Sequence, residues 1–433
     1  MHDMKRPAAT LLIIGSTVFM LVTGLAVALV VMVAVQSINP VLPNYSGTPP
    51  PVASGSPAAP AGERHGDYTF GHTAAAISPG GDSVPINITE RMPFTLDADV
   101  TSMRLHVRNW NYITDTALPG TVNLSGIAIG KAASGQIPGD SSAFSATPAV
   151  FSGATSLTDG EEFVSDWVSA DTVGFEKSTP FFLSVGMSAA PGTKIGVSTS
   201  VSWFATDSQP SAVTTQDSVG DFIQVGPFLD MWMDYTYSGD EPLIVVAGHS
   251  LNSGANNSEG KVPHTGENSS WHQVWADANG AVAASLSTPG SLTTQFAPDS
   301  PKWNIYTDLD PDAFVLWSAS NDIANGVPFD ELKTAWLATL GKAKELWPNA
   351  RVFVMTEPGR GLAEQREGLR VAWNDWLKSD TSGDFTVVDA DAALSDPAQP
   401  DQLDPAINGD GIHPSPAGFA RVADAFETAY AAG

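Results

Sequence analysis

The stretch LIVVAGHSLNSG, residues 243–254, decides how this chain is read. Residues 243–247 are wholly apolar, and Gly248-His249-Ser250-Leu251-Asn252 follow at once. So short an apolar run, with no polar alternation, suits a strand buried on both faces, as in a parallel sheet. Runs of the same kind recur at 281–286 (AVAASL), 313–317 (AFVLW), 351–355 (RVFVM) and 385–388 (FTVV). Between them, residues 329–346 and 362–377 carry helical spacing, the first starting after Pro328 and stopping before Pro348. A last helix is expected over 416–430, with Ser415 at its N-cap. Strands alternating with helices imply an α/β region, residues 241–433, built on a parallel sheet with helices on both faces. A site in such a sheet lies at the carboxyl ends of the strands, so the polar residues there carry the chemistry.

Ser250 stands just after a buried strand and two residues behind Gly248, a place that exposes its hydroxyl. A serine hydroxyl needs a base to become a nucleophile. Asp410-Gly411-Ile412-His413-Pro414 precedes the last helix. A carboxylate three residues before a histidine can curl back and accept the ring N–H, fixing the tautomer and stabilising the imidazolium. His413 is then the base for Ser250 and the acid for the leaving alkoxide. An oxyanion formed by such attack needs donors. Asn321, in SASND after the strand 313–317, offers its amide N–H. Gly290, in STPGS after 281–286, offers a backbone N–H, and the Ser250 N–H is the third.

This series resembles the SGNH, or GDSL-type, hydrolase superfamily over residues 243–430. GHSLNSG at 248–254 is similar to its first block, STPGS at 287–291 to its second, ASND at 319–322 to its third, and DGIHP at 410–414 to its fifth. The resemblance implies Ser250 as nucleophile, Gly290 and Asn321 in the oxyanion hole, and Asp410 and His413 completing the triad. It implies no cofactor and no metal. Two positions depart from the pattern. His249 replaces the usual aspartate of Gly-Asp-Ser, which in the family helps to hold the nucleophile loop; the readings for His249 are a structural substitute there, a direct role in catalysis or substrate binding, or weakened activity. Ala319 stands where the third block usually has glycine. The expected activity is hydrolysis of an acylated glycan or lipid of the cell envelope through an acyl-enzyme. An O-acyltransferase with the same triad and a catalytically decayed envelope-binding protein are the alternatives.

Residues 66–240 have another rhythm. Short alternating runs at 102–107, 121–130, 180–186 and 194–203 are separated by turn signals such as SPGGD at 78–82 and APGT at 190–193. The expectation is an all-β accessory domain, a β-sandwich or jelly roll. It resembles, loosely, the β-domains that precede some bacterial SGNH esterases. Trp110, in RNWNY, is its best candidate for stacking on a sugar ring. His65 and His72 lack metal-ligand company, and His264 and His272 read as solvated loop residues.

Residues 10–35 are almost wholly apolar, and no Asp, Glu, Lys or Arg occurs from Pro7 to Gly62. About 20 apolar residues suffice to cross a bilayer, whereas a signal peptide's apolar core runs to about 15. The reading is therefore a transmembrane anchor over 10–36, with 1–9 in the cytoplasm because Lys5 and Arg6 precede the span, rather than a cleaved signal. Either way the rest is extracytoplasmic. Residues 37–65, rich in Pro, Ser, Ala and Gly, form a tether. Forty-seven acidic residues against 20 basic ones give a net charge of −27, which excludes nucleic acid as a partner. The absence of cysteine excludes disulfides, thiolate metal sites and a thiol nucleophile.

Overall fold

A computed structural model describes residues 63–133, 141–198, 202–206, 210–223, 228–254, 269–408 and 410–432. The anchor at 10–36, its cytoplasmic flank, nearly all of the tether and His264 lie outside these residues. Among the described residues no helix is long and apolar enough to cross a membrane.

The C-terminal part is mixed α/β around a five-stranded parallel sheet. Its order is Val282–Ser285, Leu243–Gly248, Ala313–Trp317, Arg351–Met355, Thr386–Val388. Successive side chains point to opposite faces, and both faces are covered. Leu243, Val245, Phe314 and Leu316 meet Trp336 and Leu340 of helix Phe329–Leu346 and Trp373 of helix Glu364–Lys378. Ile244, Val246, Val315 and Phe353 meet Trp271 and Trp275 of helix Trp271–Asn279 and Phe419 and Phe426 of helix Pro416–Ala432. This double cover is why the strands read as continuous apolar runs.

The expected elements recur with small shifts at their ends. Helix 271–279 went unread because its buried set includes His272 and Gln273, which break the apolar period. Ser415 begins the last helix only through its carbonyl, which accepts the Phe419 N–H; its Oγ makes no hydrogen bond and does not cap.

After strand 243–248 the chain moves to one side of the sheet, to 282–285, and then returns to the other side at 313–317. The order of connection thus reverses between strands 243–248 and 313–317. A crevice opens at such a point, at the carboxyl ends of the two strands. Ser250 and Asn321 follow those two ends.

The N-terminal region is β-rich. One antiparallel sheet runs Arg64–Gly71, Asp230–Ser238, Asp99–Arg108, Glu162–Val164. A larger one runs Asp221–Ile223, Ser202–Thr206, Ile86–Phe94, Phe181–Ala189, Thr121–Lys131, Ala149–Ser152. Leu105, Val107 and Met233 from the first share one core with Ile88, Leu183 and Ile127 from the second. The run 194–203 is not one strand. Ile195–Val197 pairs with Ala75–Ile77 in a separate ribbon, while Ser202–Thr206 joins the larger sheet. Gly196 lets this ribbon lie close to Trp110: a Cβ there would sit 2.4 Å from the Trp110 carbonyl oxygen.

The two regions share a core, and hydrogen bonds cross between them at the end of strand 282–285. Thr69 Oγ1 donates to the Ser285 carbonyl at 2.9 Å, Tyr112 Oη to the Leu286 carbonyl at 3.0 Å, and Thr288 Oγ1 to the His72 carbonyl at 2.7 Å. His72 belongs to this junction. It is buried, stacks on Tyr112 with ring centres 3.9 Å apart, and lies 2.8 Å from Asp230.

The Tyr306 hydroxyl lies 2.7 Å from the Ser285 carbonyl oxygen and 2.9 Å from Asp67 Oδ1. One phenol hydrogen cannot serve both acceptors, and a protonated Asp67 supplies the second. Burial, reinforced by the charge of Asp234, pushes the Asp67 carboxyl far up and keeps that proton on. From about pH 4, where an unfolded aspartate ionises, up to the raised folded pKa, the folded state holds a proton that the unfolded chain has released. Stability from this group therefore falls as pH rises through that window. Asp67→Asn is expected to flatten the slope. Urea unfolding at about pH 5 and about pH 7 checks it, and parallel behaviour of variant and wild type would show an ionised Asp67.

Candidate active site

The residues that follow the two central strands are drawn together by the sheet itself. Gly248 pairs in register with Trp317. Its φ is +148°, and a Cβ would sit 1.7 Å from the Trp317 carbonyl oxygen, so only glycine fits. The chain then turns sharply, with the Asn252 N–H donating to the His249 carbonyl at 2.9 Å. Ser250 sits inside that turn.

Ser250 Oγ lies 2.8 Å from His413 Nε2, and His413 Nδ1 lies 2.9 Å from Asp410 Oδ2. Residues 163 positions apart in sequence thus form one continuous chain of hydrogen bonds. Asp410 Oδ1 accepts the backbone N–H groups of Ile412 (3.0 Å) and His413 (2.8 Å), which folds the Asp-Gly-Ile-His segment back on itself. Gly411 occupies φ +92° within it. Partial burial works against the Asp410 charge. The hydrogen bond and charge of His413, with the two backbone donors, outweigh it and hold the carboxyl well below the usual range. Asp410 is therefore ionised at any pH near neutral. With His413 Nδ1 donating to it, Nε2 is free to accept the serine proton.

The Gly290 and Asn321 loops are joined to this array. Residues 288–291 form a turn closed by the Ser291 N–H on the Thr288 carbonyl at 3.2 Å, with Pro289 second and Gly290 third at φ +82°, the pattern of a type II turn. The Thr288 N–H reaches the Gly248 carbonyl at 3.3 Å. Asn321 Nδ2 donates to the Ser291 carbonyl at 3.0 Å, and its second N–H remains. Ala319 needs no glycine: its φ of −85° is open to any L-residue.

His249 is almost fully buried beneath the loop. Its Nδ1 accepts the Leu251 N–H at 3.3 Å, which leaves the ring proton on Nε2, 3.5 Å from Glu357 Oε2. Sequence reading missed Glu357. It is buried just past strand 351–355, and its Oε2 accepts from Trp317 Nε1 at 3.1 Å while Oε1 accepts the Ala319 N–H at 2.9 Å. One carboxylate thus anchors the start of the Asn321 loop and faces the His249 ring of the nucleophile loop. The only sequence signal was an acidic residue two positions past a buried strand.

Asn252 was also missed. Its Nδ2 donates to the Ala247 carbonyl at 3.1 Å and its Oδ1 accepts from Trp271 Nε1 at 2.9 Å. His272 is a buried helix residue, with Nε2 2.8 Å from the Asn252 carbonyl, rather than a solvated loop histidine. Trp110 is buried under Arg108 and bonded to Asp115, so it is packing and no stacking platform.

Glu357→Gln replaces one acceptor oxygen by an amide that faces the donors Trp317 Nε1 and His249 Nε2. Unfolding free energy is expected to drop by about 1–3 kcal/mol, with slower reaction of Ser250 with a fluorophosphonate. Urea unfolding and labelling rates measure the two effects. Wild-type values for both would remove Glu357 from the site's framework.

The model of the GDSL-like Lipase/Acylhydrolase family matches residues 246–421, a span holding Ser250, Gly290, Asn321, Asp410 and His413. No curated protein matches. Among solved structures, a family two carbohydrate esterase from Clostridium thermocellum in complex with cellohexaose is 12% identical, with 84% of this chain and 97% of that one covered at a TM-score of 0.37. A family two carbohydrate esterase from Cellvibrio japonicus is 11% identical, covering 84% and 96% at 0.34. At these scores the two likenesses carry no weight for substrate. The family match and the folded arrangement lead to the same place: residues 246–421 match the GDSL-like lipase/acylhydrolase family over the parallel-sheet region, and the protein is a hydrolase of ester bonds.

Proposed function

We propose that the protein cleaves O-acyl esters of an envelope glycan or lipid through a Ser250–His413–Asp410 acyl-enzyme mechanism. The observation that supports this most is the unbroken hydrogen-bond chain from Ser250 Oγ through His413 to Asp410. His413 Nε2 takes the Ser250 proton as Oγ attacks the ester carbonyl carbon. The carbonyl π pair moves onto oxygen, and the N–H groups of Ser250, Gly290 and Asn321 hold that oxyanion. The tetrahedral species collapses, His413 protonates the departing alkoxide, and the acyl group remains on Ser250. A water then gives its proton to His413 as it attacks the acyl carbon; the bond from that carbon to Ser250 Oγ breaks, His413 returns the proton to Oγ, and the acid leaves. Asp410 stays a carboxylate throughout and stabilises the imidazolium in both halves.

Hydrolysis of p-nitrophenyl acetate tests the assignment. Ser250→Ala is expected to abolish turnover, Asp410→Asn to lower kcat about 10³–10⁴-fold, and Asn321→Ala about 10²–10³-fold. Equal turnover by Ser250→Ala would sink it. With a glycan alcohol present, free acid remains the expected product; acyl-glycan as the main product would favour the transferase alternative.

The same reading keeps the enzyme at the outer face of the cytoplasmic membrane, held by residues 10–36. Its support is the uncharged apolar run that follows Lys5 and Arg6. The protein is expected to stay in the membrane pellet after an alkaline carbonate wash and to be cut by protease added outside spheroplasts. Recovery in the soluble fraction of spheroplast lysates would overturn the anchor.

A further inference from the structure

We infer that Arg360 selects esters whose alcohol portion carries a negative charge near the acyl group, a carboxylate or a phosphate. This rests on the esterase reading of Ser250 and adds a substrate class to it.

Arg360 lies in the segment after strand 351–355, three residues beyond Glu357. Its Nη1 donates to Ser320 Oγ at 2.8 Å and reaches Asn321 Oδ1 at 3.5 Å, so the guanidinium stands against the residue that offers an oxyanion donor. Burial draws the guanidinium pKa down, and the charges of Glu357 and Asp410 offset part of that shift. The group therefore borders the Asn321 loop, with the charges of Glu357 and Asp410 acting on it.

Only Nη1 is used. Nε and Nη2 make no hydrogen bond to any described residue, and neither is among the buried atoms lacking a partner, so that edge meets solvent. The Nε–Nη2 edge is the planar fork that takes both oxygens of a carboxylate or phosphate. Arg64, Arg104, Arg108, Arg370 and Arg421 each hold a carboxylate in an ion pair, whereas Arg360 has none among the described residues. At a net charge of −27 the protein as a whole repels anions, so an anionic substrate needs a local cation. An unpaired fork beside the ester-cleaving serine's oxyanion loop supplies one. A guanidinium serving only to orient Asn321 would need nothing beyond Nη1.

Matched substrates test the inference on the full-length protein: an O-acetyl glucuronide against the O-acetyl glucoside, and acetyl glycerol phosphate against acetyl glycerol. Wild type is expected to favour the charged member of at least one pair about tenfold or more in kcat/KM, mainly through KM. The pair that shows the preference tells carboxylate from phosphate. Arg360→Gln, which can still bond Ser320, is expected to bring the ratio to about one. Arg360→Lys keeps the charge without the fork and is expected to fall between. Raising NaCl from about 20 mM to about 500 mM should shrink the wild-type ratio. Should Arg360→Gln fail to fold, the lysine variant and the salt series still decide. A wild type that cleaves neutral esters with no charge preference overturns this inference alone. So does Arg360→Gln slowing both members of a pair equally, which would leave Arg360 as a positioning residue for Asn321. A wild type that cleaves no ester overturns the Ser250 reading as well.

Discussion

Gly248 and Trp317 lie so close that no side chain fits between them. Two parallel strands stay paired to their last residues, and the missing Cβ lets the Trp317 carbonyl fill the space. That approach fixes where both following loops begin. Ser250 leaves one strand two residues after Gly248, and Asn321 leaves the other four residues after Trp317. Because the chain reverses its order of connection between these strands, nothing from a neighbouring connection crosses above them. The crevice and its reactive groups thus share one cause.

The loops above that contact are held by buried polar groups. Glu357 accepts from Trp317 and Ala319 and faces the His249 ring; Asn252 bonds the nucleophile strand and Trp271; His272 meets the Asn252 carbonyl. Burying such groups is unfavourable unless each finds a partner, and unpaired ones cost about 1–3 kcal/mol. The same fact makes the set rigid, since any shift of one loop breaks bonds of the other. His249 and Glu357 together do the holding for which the related pattern uses an aspartate beside the serine. The polar groups on these loops are thereby kept as fixed as if they were on strands.

The β-rich region is part of this framework. Thr69, Tyr112 and the His72 backbone bond to Ser285, Leu286 and Thr288, the segment that leads into the Gly290 turn. With a shared core beneath these bonds, the region acts as a wall supporting one side of the site. Its aromatic residues serve that wall: Tyr112 stacks on His72 and Trp110 is covered by Arg108.

By itself the sequence determined the parallel sheet and its main helices, and it singled out Ser250, Asp410 and His413, which the fold brings together. Strands covered on both faces must be apolar throughout, which makes 243–247 and 313–317 legible one residue at a time. The Asp410–His413 contact is equally local, because three residues and a glycine suffice to close it. Only the tertiary structure decided what surrounds them. Glu357 sits 108 positions from His249, and Arg360 sits 39 from Asn321. His272 changes from an apparent loop residue to a buried support once its partner arrives, and His72 is buried beside Tyr112 and Asp230. A lone polar residue in sequence has no period and no fixed partner. Its role follows from which distant backbone groups the fold leaves unpaired beside it, and that is known only when the strands are in register.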